Sequence, residues 1–131
     1  ICMPKVFRLS EQYLIRAEAR ANQKNYSGAS KDLSDLRRAR FQGGNGSISV
    51  SEQNWLEIIE EERVRELYME GFRLQDLKRW HKGFERKPQE QSLTNGSSLK
   101  IEADDVRFVW PIPKHELESP GSQIQPNESN K

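Results

Sequence analysis

The chain has 131 residues, with 21 lysines and arginines against 20 acids and a net charge of +1. That is the size of one domain, and the even charge balance excludes bulk electrostatic binding to nucleic acid or an anionic membrane surface. With a single cysteine, Cys2, and two histidines, His81 and His115, neither an internal disulfide nor a His/Cys zinc site of the usual kind can form.

At 34% hydrophobic and 31% charged residues, the sequence is lean in apolar material. No run approaches the ~20 apolar residues of a membrane span. No charged segment followed by an apolar stretch opens it. Met3 is internal, and Ile1 leads straight to Val6-Phe7-Arg8-Leu9, so residues 1–131 read as a piece of a longer chain.

Ser10 to Gln23 is predicted helical, with Ser10 as N-cap and Tyr13, Leu14, Ala17 and Ala21 at helical spacing. A short polar break at Asn22 to Asn25 precedes a second helix from Tyr26 or Ser27 to about Arg40. A connection this short makes the two an antiparallel hairpin. Gln42 to Ser47 is a glycine-rich loop. A third helix starts at Ser49 or Ser51, with Ser49 and Glu52 at capping-box spacing and Trp55, Ile58, Ile59 and Leu67 on its buried face. Gly71 breaks or kinks the pattern, and Phe72 to about Lys82 resumes it with Leu74, Leu77 and Trp80. Phe84 to Lys100, with Pro88, Asn95 and Gly96, reads as loop. Val106 to Trp110 alternates as a short extended segment ended by Pro111 and Pro113. A turn of helix covers Lys114 to Leu117. The tail from Ser119 is expected to be extended or disordered unless a partner surface holds it.

Ala17, Ala29, Leu33 and Leu36 match the spacing of a tetratricopeptide hairpin, in which small residues let two helix backbones approach closely. Tyr13 sits where that repeat often has an aromatic. Arg20 departs from it, because an aromatic is common there. Only one unit is visible, so further repeats are expected before Ile1. Tyr13, Leu14 and Ala21 are the predicted apolar flank for them.

Three blocks in order give a more specific likeness. They are Arg8 to Ala19 (RLSEQYLIRAEA), the run from Glu62-Arg63 through Glu66-Leu67 and Glu70-Gly71-Phe72-Arg73 to Asp76-Leu77-Lys78-Arg79-Trp80, and Trp110-Pro111-Ile112-Pro113-Lys114-His115-Glu116-Leu117. Together they resemble the C-terminal part of the SusD/RagB family, over nearly the whole chain. The family's closing Gln-Asn-Pro-Gly-Tyr is matched only loosely by Gln125-Pro126-Asn127.

The resemblance implies a mainly α fold: a tetratricopeptide-like hairpin, further helices, a short extended segment and an irregular C-terminal arm, with residues 1–131 forming the C-terminal part of a larger helical domain. It implies a nutrient-binding lipoprotein on the outer-membrane surface, with glycan as the expected nutrient, working with a TonB-dependent, SusC-like transporter. It implies no enzyme activity and no cofactor. The lipid-bearing cysteine of the family lies far upstream, so Cys2 is not the anchor. Glycan contacts in the family come mostly from upstream loops, so no ligand-binding residue is carried over. This region then serves mainly as scaffold.

Read residue by residue, Glu62, Glu66 and Glu70 lie at i, i+4 spacing and could suggest catalytic carboxylates. With Arg63 and Arg73 close by, they are better read as a structural ion network tying the helix near Gly71 to a neighbour. Trp55, Trp80 and Trp110 could be sugar-stacking platforms, but Trp55 and Trp80 lie on apolar stripes. All three are assigned to packing. His81 and His115 are solitary and belong to surface or capping roles. The Lys78-Arg79-Trp80-His81-Lys82 cluster suits a helix C-terminus. Gly43-Gly44-Asn45-Gly46 lacks the Lys-Ser/Thr of a phosphate loop. No nucleophile–base pair or metal constellation stands out. The competing reading is a tetratricopeptide-like adaptor that holds a protein segment in its groove.

Overall fold

A computed structural model describes residues 8–41, 43, 46–87 and 99–130. The readings at Cys2, Val6-Phe7, Pro88, Asn95 and Gly96 fall outside these residues. The fold is mainly α, in two compact units that divide after Gly71.

The first unit is three helices: α1 (Leu9–Asn22), α2 (Tyr26–Arg40) and α3 (Trp55–Glu66). α1 packs against both α2 and α3. The four tetratricopeptide-spaced residues form the seam: Ala17, Ala29 and Leu33 are wholly buried and Leu36 nearly so. Alanine has no side chain beyond Cβ to hold the backbones apart, and the leucines fill the groove that remains. Lys24, with φ +62, reverses the chain between the helices. Asn25 then caps α2 by accepting a hydrogen bond from Gly28 N at 2.9 Å.

Leu14 and Ala21 are buried within this unit rather than forming an open flank. They face α2 and α3, because α1 has partners on two sides. The apolar edge that α1 does expose carries Leu9 and Ile15, with Tyr13 half-buried. Ser10 is not the cap either. α1 begins at Leu9 from Arg8, and Ser10 lies buried in the first turn.

Between α2 and α3 the chain runs back along α2, antiparallel to it. Ser30 Oγ accepts from Val50 N at 2.8 Å and Ser34 Oγ accepts from Ile48 N at 2.9 Å. Two residues earlier, Gly46 lies so close to Arg38 that a Cβ there would come within 2.9 Å of its backbone nitrogen. The Ser49–Glu52 capping box does not form. Asn54 Oδ1 takes the Ser51 N–H at 2.7 Å, closing a turn that delays α3 to Trp55. Trp55 and Ile58 are half-buried; Ile59 and Leu67 are the core contributions. α3 stops at Glu66, and residues 67–71 form a turn with Met69 and Gly71 both at positive φ.

The second unit opens with α4 (Phe72–Arg79), whose Leu77 is buried while Leu74 and Trp80 are half-buried. His81 ends it at φ +52, and Lys82 N donates back to Leu77 O at 2.9 Å in the pattern of a left-handed helix C-terminus. The expected loop from Phe84 instead begins and ends in an antiparallel pair, β1 (Phe84–Glu85) with β2 (Lys100–Ile101). Phe84 lies opposite Ile101 and Glu85 opposite Lys100. Gly83 admits this pairing, because a Cβ there would sit 2.1 Å from Ile101 O.

Val106 to Phe108 is a 3-10 turn and not extended chain. Asp105 takes the Arg107 N–H at 2.9 Å and folds the segment at its start. Phe108 is buried. The chain extends from Val109, and a one-turn helix, α5 (Lys114–Leu117), follows Pro113. The tail is held within this unit. A second 3-10 turn, Glu128–Asn130, packs on the first.

Candidate functional site

The glutamates of α3 face arginines of α2 and of the chain before α1. Glu62 is buried and accepts from Arg37 Nε at 2.8 Å; Arg65 approaches the same oxygen at 3.3 Å. Glu66 accepts both nitrogens of the Arg40 fork, with Nε at 2.9 Å. Arg8 reaches Glu66 at 3.4 Å and grips Glu70 through Nε and a terminal nitrogen at 3.1 and 2.7 Å. Arg8 also donates to the Glu66 carbonyl at 2.7 Å, tying the last turn of α3 to the start of α1.

The Arg40 fork, first, holds the Glu66 carboxyl below its ordinary pKa. The buried Ser10 hydroxyl adds to this. It meets no partner at ordinary hydrogen-bond geometry, yet it faces the same carboxylate. Held in its charged form by guanidinium groups, the Glu66 carboxylate is a weaker base than a free one, and this array fastens helices. The ion-network reading of Glu62, Glu66 and Glu70 therefore agrees with the structure. Arg8, Arg37 and Arg40 are partners it did not name, although Arg37 and Arg40, three apart, share a face of α2.

A second cluster went unread in the sequence. Asp32 on α2 is 1% exposed and accepts from Arg16 at 3.1 and 2.7 Å and from Arg20 at 2.7 Å. Arg20 also donates to Gly28 O at 3.2 Å. The departure at Arg20 thus has a cause: where the repeat often packs an aromatic, this hairpin closes an ion pair across the same gap. Arg16 lies over the Tyr13 ring, 5.0 Å from its centre, and Asp32 raises its pKa.

Two shallow grooves flank the exposed edge of α1. One, of about 560 Å³, is lined by Arg8, Leu9, Tyr13, Leu36, Ala39 and Arg40; the other, of about 310 Å³, by Leu9, Gln12, Tyr13, Ile15 and Arg16.

In the second unit, His81 Nδ1 lies 2.8 Å from Asp104 Oδ1, both exposed, and His115 lies beside Glu116 at 3.2 Å. Arg79 stacks over the Trp80 ring at 4.3 Å and donates to Asp76 at 2.9 Å. These are helix-end roles, as the sequence suggested.

Trp110 is the clear departure from the packing assignment. It is 80% exposed. Phe108 anchors the segment in its place, because the 3-10 turn rotates the chain so that Phe108 points inward. Two asparagines of the tail hold the backbone of Trp110 and Ile112. Asn127 Nδ2 donates to Trp110 O at 2.9 Å, and the Asn130 amide brackets Ile112, accepting its N–H at 3.0 Å and donating to its carbonyl at 2.9 Å. Sequence reasoning missed this clamp; the two asparagines three residues apart were its available signal.

Among the described residues, no group of three or more His, Cys, Asp or Glu is placed to hold a metal ion, and no helix is long and apolar enough to cross a membrane. A family model described as the SusD family matches residues 3–128. Neither the curated proteins nor the solved structures contain a match.

Proposed function

Because the chain belongs to the SusD family, we propose that it is the C-terminal helical part of a surface lipoprotein that captures a glycan for a TonB-dependent, SusC-like outer-membrane transporter. The match over residues 3–128 carries this reading, since the family is one of nutrient-binding outer-membrane lipoproteins. Its members bind cargo and do not transform it. The arginine-paired glutamates of α3 and of the turn after it agree with that role, for they brace a scaffold.

The experiment is calorimetry of the intact protein against soluble polysaccharides, with affinity purification of detergent-solubilised membranes. Saccharide binding and recovery of a β-barrel transporter are the expected results.

The two grooves along α1 favour the adaptor as second reading, since an amphipathic segment fits an edge carrying Leu9, Tyr13 and Ile15. Recovery of a soluble protein segment, with no saccharide binding and no transporter, would select it.

A further inference from the structure

An exposed indole is costly unless something uses it. Water gains nothing from a large apolar ring, and tryptophan normally buries most of its surface. Trp110 is 80% exposed, and it follows Val106 and Val109, each about half exposed, in a stretch whose core contact is made by Phe108 alone. Packing among the described residues therefore does not account for its position.

Its backbone, by contrast, is held firmly. Asn127 binds the Trp110 carbonyl, and Asn130 uses both ends of its amide on Ile112. Pro111 and Pro113 fix two more φ angles around it. A ring carried on a backbone held this way is presented at a fixed place, so a stacking partner has only the side chain's own rotamers to order.

A polar partner lies close by in the chain. Asp105 and Arg107 form a planar two-bond pair, at 2.8 and 2.7 Å, with the Arg107 guanidinium half exposed. Arg107 is three residues from Trp110, so at most ~11 Å of chain separates them. A pyranose has one C–H face that stacks on an aromatic ring and equatorial hydroxyls that pair with carboxylates and guanidinium groups. An apolar platform and a fixed charged pair three residues apart along the chain offer both, within the length of a disaccharide.

We infer that Trp110, with the Asp105–Arg107 pair beside it, forms a saccharide contact on this chain, and that Asn127 and Asn130 are positioning residues for its indole. The inference rests on the glycan-capture reading and gives that reading a place in these residues.

The test uses the intact protein and a panel of maltoheptaose, laminarihexaose, cellohexaose and xylohexaose, with calorimetry as readout. Trp110→Ala is expected to weaken binding of the preferred oligosaccharide at least tenfold, Trp110→Phe to restore most of it, and Arg107→Ala to weaken it several-fold. Asn130→Ala should raise the dissociation constant while leaving the helical circular dichroism signal unchanged. Saccharide should shield from acrylamide the part of the tryptophan fluorescence that Trp110→Phe removes. Wild-type affinity in Trp110→Ala overturns the inference and leaves glycan capture standing. Absence of binding by the wild-type protein to every panel member overturns both.

Discussion

Asp32 and Arg20 meet at 2.7 Å across the hairpin, with the aspartate 1% exposed and the arginine partly open to solvent. The pair fixes how α1 is turned against α2. A one-residue slip rotates a helix by about 100°, which would carry both Arg16 and Arg20 away from the buried carboxylate. The seam of small residues sets the distance between the helices, and this pair sets their angle.

Asp32→Ala should therefore cost more than an ordinary surface substitution. Because both arginines retain access to water, the loss is expected near the lower end for a broken buried pair, about 2–3 kcal/mol. Urea unfolding followed by circular dichroism measures it. Asp35→Ala, which removes only exposed pairs to Lys31 and Arg38, should change stability by less than about 1 kcal/mol.

The helix seam gives a second test. Ala17 is wholly buried between helices, and Ala17→Leu should destabilise by about 1–3 kcal/mol through overpacking. Leu33→Ala should cost about 2–5 kcal/mol by leaving a cavity. Thermal melts of the two variants would both fall. An unchanged midpoint for Ala17→Leu would mean that the helices do not approach as closely as described.

Gly83→Ala should break the small sheet, since the new Cβ would lie 2.1 Å from Ile101 O with backbone on every side. Hydrogen exchange of the Arg86 amide, which donates to Leu99 O at 2.8 Å, should quicken to that of an open chain. The helical signal of α1 to α3 should stay.

The acid limb of stability belongs to carboxylates held low. Arg107 donates to the Asp105 carboxylate from side chain and backbone and lowers its pKa from 3.8 to about 2, and the Arg40 fork lowers Glu66. A depressed folded-state pKa stabilises above the unfolded value and is lost as pH falls through the folded one. Stability is therefore expected to hold above about pH 5 and to decline from there toward about pH 2. Carboxyl carbon shifts in an NMR titration should give an Asp105 midpoint near 2, and Arg107→Ala should return it toward the ordinary aspartate value.

What the sequence revealed was local. Ala17, Ala29, Leu33 and Leu36 could be placed because their spacing is a property of two adjacent helices, and Gly71 because a glycine at positive φ interrupts a helix wherever it falls. The glutamate block read correctly as ionic: i, i+4 spacing places Glu62 and Glu66 on one face of α3, and Glu70, in the turn that follows, joins them through Arg8. Its partners Arg8 and Arg40 were hidden, because 62 and 26 residues separate them from Glu70 and Glu66. Trp110 misled for another reason. Apolar character says that a residue prefers burial, but the turn set by Asp105 decides which of Phe108 and Trp110 obtains it. The two asparagine side chains that fix Trp110 act at separations of 17 and 18 residues, with no periodicity to announce them.

The return of the chain along α2 sets two rulers side by side. Four residues of helix advance about 6.0 Å, and two residues of extended chain about 6.7 Å. Over a single interval the difference is small, so Ser30 and Ser34 can reach Val50 and Ile48 with good hydrogen bonds. Over a second interval the same step brings residue 46 beside Arg38, and there the approach is so close that a Cβ would come within 2.9 Å of the Arg38 nitrogen. The two serines carry the hydrogen bonds of the first two contacts, and the third is a bare backbone contact. A helix can therefore hold an extended segment through side chains spaced four apart, provided the segment gives up its own side chain where no serine keeps the distance.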